Sequence, residues 1–75
     1  MAIVRKLVPR ELESKSTHSE VDGSYSIIRM SEGSYLQIDT YGSPSRKLRG
    51  KKSQSIRFAP EAIAQLKQIF VSHSL

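Results

Sequence analysis

The stretch Ser34–Tyr41 reads SYLQIDTY, and its alternation decides the fold class. Leu36, Ile38 and Thr40 fall on one side of an extended chain, with Tyr35, Gln37, Asp39 and Tyr41 on the other. The expected arrangement turns the aliphatic side toward a core and leaves both tyrosines on an open face. Just upstream, Ser24–Met30 (SYSIIRM) is rich in Tyr and Ile and reads as a partner strand. Ser31-Glu32-Gly33 joins the two as a short hairpin connection. The adjacent Ile27 and Ile28 break strict alternation, which predicts a bulge or a strand covered on both faces.

Working outward, Gly42–Lys52 (GSPSRKLRGKK) carries Gly42, Pro44, Gly50 and interspersed serines, the composition of a loop. Ser53–Phe58 alternates again, with Gln54, Ile56 and Phe58 opposite Ser53, Ser55 and Arg57. Pro60 then stands at a first helical position and Glu61 in a first turn, while Ala59 offers no capping oxygen. Ala62, Ile63, Leu66, Ile69 and Phe70 form one apolar stripe at helical spacing, with Glu61, Gln65, Lys67 and Gln68 turned away. The predicted helix runs to about Val71.

Toward the amino end, Pro9 interrupts an apolar segment, so Ala2–Val8 reads as an extended arm or edge strand. Glu13–Gly23 is polar, and its second half reads as a short strand ending at the Asp22-Gly23 turn. The expected organisation is an arm or edge strand over residues 1–14, a sheet-plus-helix domain over 15–71 and a frayed tail over 72–75. The class is α+β, a curved antiparallel sheet of about four strands with one C-terminal helix packed on one face.

Seventy-five residues make one small domain, which buries only about 60% of the surface its unfolded chain exposes. Leu, Ile, Val and Phe number 19, enough for a folded core. With no cysteine, neither a disulfide nor a cysteine-held zinc site can reinforce that core, and a homodimer is the expected support. No apolar run reaches the ~20 residues that span a bilayer, which predicts an intracellular protein without a membrane partner, in a bacterium one of the cytoplasm or nucleoid.

Charge is distributed unevenly. Residues 1–39 hold five basic and six acidic side chains, whereas residues 40–75 hold seven basic and one acidic. Arg46, Lys47, Arg49, Lys51, Lys52 and Arg57 follow one another with no acid between Asp39 and Glu61. Such a cluster points to an anionic partner, nucleic acid first and an acidic protein or membrane surface after it; a merely solvating basic loop is the plain alternative. Tyr35 and Tyr41 beside it would offer rings on which bases of a single strand stack while the cations track phosphates. Packing at a dimer contact is the structural alternative for both tyrosines. Strand serines Ser24, Ser26, Ser53 and Ser55 add hydroxyl donors for phosphate or sugar, or are simply solvated.

Enzyme chemistry is not expected, and neither is a cofactor or metal. Glu13-Ser14-Lys15 has the end of a nuclease-like pattern without its upstream acid. Gly50-Lys51-Lys52-Ser53 has the end of a phosphate-binding loop, but Ser45 stands where the first glycine belongs and a strand follows where a helix should. His18 reads as an exposed residue. His73 lies at the helix C-terminus, where a protonated imidazole favours the dipole.

The order of these parts resembles the single-stranded-DNA-binding domain of the positive cofactor four type of transcriptional coactivators and its bacterial and phage relatives. The resemblance rests on the strand YLQIDTY, the polar connector, Gly50-Lys51-Lys52, the short strand with Ile56 and Phe58, and Pro60-Glu61 opening a helix that contains Gln65-Leu66-Lys67. It implies a curved four-stranded antiparallel sheet, a homodimer, and single-stranded DNA bound along the sheet face and basic loop, in support of transcription, replication or repair. Ile63 stands where that family's helix carries an aromatic, and the strand before Pro60 is longer by Ser53 and Gln54. The related Pur-alpha and Whirly-like group shares the same sheet-plus-helix logic. The expected site comprises Arg46, Lys47, Arg49, Lys51, Lys52, Arg57, Tyr35 and Tyr41. RNA in place of DNA, and a polymerase or other nucleic-acid enzyme as protein partner, remain open at this stage.

Overall fold

A computed structural model describes residues 1–12, 20–42 and 52–75. Strands β1 (Ala2–Val4), β2 (Gly23–Met30), β3 (Gly33–Tyr41) and β4 (Lys52–Phe58) precede a single helix, α1 (Pro60–Ser72). The strands form one sheet in the order β1-β4-β3-β2. This is the α+β architecture that the alternation of SYLQIDTY predicts. One pairing differs from the expected all-antiparallel sheet: β1 lies parallel to β4, with Ala2 opposite Ile56 and Val4 opposite Phe58. The sheet is therefore mixed. A parallel pair needs a long crossover, and here the whole of β2 and β3 lies between the two strands in sequence.

The β2–β3 hairpin closes through Ser31 and Glu32, with Met30 paired to Gly33. Gly33 has φ 139°, a conformation that side chains rarely adopt. A β-carbon placed on it would meet Pro60 Cγ at 2.8 Å, so the turn and the helix start need this glycine together. Register runs unbroken through Ile27 and Ile28, opposite Leu36 and Tyr35, so the bulge expected there is absent. The irregularity sits instead between Thr40 and Tyr41, where β3 meets the beginning of β4. Residues 20–22, placed sequence-wise at the end of a further strand, lie outside the sheet.

Cross-strand partners share a face. Tyr25, Ile27, Leu36, Ile38, Ile56, Phe58, Ala2 and Val4 occupy one side of the sheet, and Ser24, Ser26, Ile28, Tyr35, Gln37, Asp39, Ser55 and Arg57 the other. The alternation of β3 is as expected, but its burial is reversed. Tyr35 is 3% exposed, Gln37 6% and Asp39 3%, whereas Ile38 is 37% exposed, Ile27 50% and Tyr25 74%. The polar side of β3 is the covered one.

α1 lies against β3 and β4. Its N-cap is Ala59, which makes no side-chain cap, and its backbone N–H donates to Val4 O at 2.9 Å, tying the helix start to β1. Ala62 is fully buried; Ile63, Leu66 and Ile69 are half-buried, and Phe70 is exposed. The helix ends in a closed turn where fraying was expected. Ser74 takes φ 55°, its N–H donates to Val71 O, and Leu75 N–H donates to Phe70 O, the pairing of a Schellman motif. These bonds satisfy carbonyls that a frayed tail would leave to water. No helix among the described residues is long and apolar enough to cross a membrane.

Candidate nucleic-acid interface

The covered side of β3 is polar, and it is buried because its groups satisfy one another. Arg57 on β4 directs Nε and Nη2 to a single acceptor, Gln37 Oε1, at 3.0 and 2.6 Å. Gln37 Nε2 donates in turn to Asp39 Oδ1 at 3.0 Å, and Ser55 Oγ donates to the same oxygen. Alternation places Gln37 and Asp39 two apart on β3, opposite Arg57 and Ser55 two apart on β4, so the four side chains form a cross-strand ladder. No buried side-chain nitrogen or oxygen among the described residues lacks a hydrogen-bond partner. A satisfied network of this kind can be buried at little net cost, whereas a half-satisfied one cannot.

Both tyrosines of the expected site belong to this side. Tyr35 presents no open ring for a base: its hydroxyl donates to Glu32 Oε1 at 3.3 Å, and the Arg5 guanidinium stands 6.0 Å from its ring centroid. Tyr41 is half-buried, and its hydroxyl is 2.7 Å from Ser24 Oγ. The expectation that these rings lie on an open face is thus corrected. The physical reason is that the ladder lets the polar side pack, leaving the aliphatic side outward. The aromatic on an open face is Tyr25, on β2. Its flanking serines, Ser24 and Ser26, hide nothing in the sequence that would single it out.

Arg5 also lies 3.7 Å from Glu61 Oε1, an ion pair between exposed groups. Hydrogen bonding and attraction to the Tyr35 side chain hold the Arg5 guanidinium pKa above its ordinary value. The Glu32 carboxyl sits below the usual carboxylate range, first through its own backbone N–H and then through Ser31 Oγ, whose bond is 3.0 Å. The arm after β1 is fastened by a residue read as solvent-facing: Gln65 Oε1 accepts from Leu7 N–H at 2.8 Å, and Gln65 Nε2 donates to Leu7 O at 3.1 Å. One side-chain amide therefore replaces both partners of a strand residue.

Of the expected cationic residues, Arg57 is placed in the ladder, half-buried, and Lys52 opens β4 with its backbone opposite Tyr41. Arg46, Lys47, Arg49 and Lys51 lie outside the described residues, as do His18 and Glu13-Ser14-Lys15. The topology nonetheless fixes the anchors of the basic segment. It leaves β3 at Tyr41 and re-enters the sheet at Lys52, joining the two central strands. Comparison with protein-family models, with curated proteins and with solved structures finds no match to this chain.

Proposed function

We propose that the protein binds single-stranded nucleic acid, DNA in the first instance, with little sequence preference, through the cations of residues 46–57. The observation that carries this reading is the acid-free run of six Lys and Arg side chains, tethered at both ends to the central strands β3 and β4. Anchored ends limit the conformations that such a segment must lose when it lies along a phosphate backbone. Phosphate contacts carry no base information, which is why the binding is sequence-tolerant. The resemblance to the positive cofactor four type, strand, basic connector, strand and Pro-Glu helix, supports a single strand as the partner. Arg57 contributes by shaping the ladder beside the segment, and Tyr35 and Tyr41 act as framework.

The test is salt dependence. If about four of the six cations reach phosphates, the slope of log affinity against log salt on single strands is about −3, from roughly −0.7 per contact. Lys51→Ala with Lys52→Ala should flatten it by about one to two units and weaken all sequences alike. Lys6→Ala with Arg10→Ala is the control of equal charge loss, since both side chains are exposed and neither belongs to residues 46–57. Equal effects of the two double variants would remove the assignment to residues 46–57. Duplex DNA and RNA of the same length complete the series. Absence of affinity for every oligonucleotide at physiological salt would favour an acidic protein surface as the partner.

A further inference from the structure

The chain has two aspartates and no asparagine, and the fold places the two aspartates in opposite settings. Asp39, followed by the β-branched Thr40, is buried on central strand β3 and accepts hydrogen bonds from Gln37 and Ser55. Asp22, followed by Gly23, is exposed at the entry to β2, a strand at one edge of the sheet. Among the described residues its carboxylate has neither a hydrogen-bond nor an ion-pair partner.

Register decides where the Gly23 amide points. Met30 and Gly33 flank the two-residue turn as a hydrogen-bonded pair, and the two classes of pair alternate along an antiparallel ladder. Counted back from there, Gly23 opposite Thr40 is a non-hydrogen-bonded pair. Tyr41 N–H, which donates to Asp22 O at 3.1 Å, fits that assignment. The Gly23 N–H is therefore turned away from β3, toward the outer edge of β2, where no described strand lies. A β-carbon at Gly23 would meet only Asp39 O, at 3.4 Å, so the described residues leave room around this peptide.

We infer that Asp22–Gly23 is a site of spontaneous aspartate isomerisation in the folded chain. The Gly23 nitrogen attacks Asp22 Cγ; an N–Cγ bond forms, and the amide proton leaves with the acid's hydroxyl as water. The product is a five-membered succinimide. Water then adds back at one of the two imide carbonyls. Opening at Cγ restores aspartate, whereas opening at the main-chain carbonyl gives isoaspartate, with the backbone routed through Cβ and Cγ at unchanged mass. Ring closure requires rotation about the Asp22 Cα–C bond, which glycine at the next position allows most freely. The bond from Tyr41 N–H opposes that rotation, and it lies at the end of an edge strand, where local opening is easiest.

Isoaspartate lengthens the backbone by one methylene and moves the acceptor away from Tyr41 N–H. Ser24 Oγ meets the Tyr41 hydroxyl at 2.7 Å, so residues 22–24 hold both ends of the residue from which the basic segment departs. Isomerisation releases the amide end.

The full chain held folded for weeks at neutral pH and physiological temperature tests this, with a sample kept unfolded in guanidinium chloride as the reference. After trypsin, the peptide of residues 16–29 should split into two species of equal mass. The new species should accept a methyl group from S-adenosylmethionine through an isoaspartyl carboxyl methyltransferase, and the peptide of residues 30–46, which carries Asp39, should not. Because only local opening is needed, the folded rate should lie within about tenfold of the unfolded one. Asp22→Glu cannot close a five-membered ring and should abolish the signal, and Gly23→Ala should lower it severalfold. In the aged sample the isomerised fraction should exchange its Tyr41 amide at least about tenfold faster than fresh protein does. A folded chain that stays unmodified while the unfolded one converts overturns the inference, as does equal methylation of the Asp39 peptide or of Asp22→Glu. Isomerisation with Tyr41 protection unchanged would refute the loss of the anchor.

Discussion

Replacing Gly33 by Ala tests how the hairpin and the helix are locked together. At φ 139° an alanine is strained wherever its β-carbon goes, and that β-carbon would also stand 2.8 Å from Pro60 Cγ and 3.3 Å from Pro60 Cβ. Holding a side chain in so sparse a backbone region costs about 1–3 kcal/mol. Displacing a ring that is packed at the helix start adds about 1 kcal/mol. The lower chain entropy of the unfolded alanine variant works against the wild type by about 0.4–1 kcal/mol and worsens, by its loss, nothing in the native turn; it offsets part of the strain. The net expectation is a loss of about 2–3 kcal/mol, or roughly 10–20 °C in Tm for a domain of this size. Urea and thermal unfolding followed by circular dichroism measure it, at fixed protein concentration. Gly23→Ala is the internal reference, because its β-carbon would meet only Asp39 O at 3.4 Å, an ordinary contact. Adding Pro60→Ala to Gly33→Ala should recover the steric part alone, read as a coupling energy in a double-mutant cycle. A Gly33→Ala loss below about 0.5 kcal/mol, indistinguishable from Gly23→Ala, would refute the argument.

Two further substitutions probe the polar contacts. Gln37→Leu keeps the volume but removes the acceptor of the Arg57 fork and one donor to Asp39; hydrogen bonds to charged groups are each worth about 1.5–3 kcal/mol, so stability should fall by at least about 2 kcal/mol in urea unfolding, and an unchanged midpoint would show the ladder to be idle. Gln65→Ala releases Leu7 from α1 and should speed exchange of the Leu7 amide at least tenfold while costing about 1 kcal/mol globally; protection equal to wild type would mean that the arm is held by other contacts.

The strand order of the central hairpin and the start of α1 were legible because each depends on neighbours in sequence. Alternation in SYLQIDTY assigns which side chains share a face, and Pro60-Glu61 marks a helix start whatever the surroundings. Which face is covered is a different matter. Hydrophobicity points Leu36 and Ile38 inward, but Gln37 and Asp39 lie opposite Arg57 and Ser55, and mutual hydrogen bonding outweighs the usual penalty for polar burial. That complementarity, Gln-x-Asp on one strand against Ser-x-Arg on the next, was present in the letters and becomes visible only once the register is known. Nothing local could reveal Gln65 as a clasp, since its partner is Leu7, 58 residues away. The same holds for Tyr25: alternation puts it on a face with Ile27, but exposure follows from where the rest of the chain packs. For the candidate site, the cationic run was plain from charge alone, whereas the role of the tyrosines turned on burial.

The parallel pairing of β1 with β4 also sets an order of assembly. Ala2 and Ile56 are 54 residues apart. Closing a loop of that length costs about 3.5 kcal/mol of chain entropy beyond the constant term, against a few residues for the β2–β3 turn. The hairpin can therefore form as soon as residue 41 is available, β4 can add to it next, and β1 must wait for the last strand of the sheet to be in place. During synthesis Ala2–Val4, made before every other strand of the sheet, are the last to be paired. Until Phe58 has left the ribosome, the outer edge of β4 does not exist and Ala2–Val4 has no neighbour to join. Slow steps in refolding should accordingly report on the docking of β1, and a permuted chain that links β1 directly to the end of α1 would shorten that search.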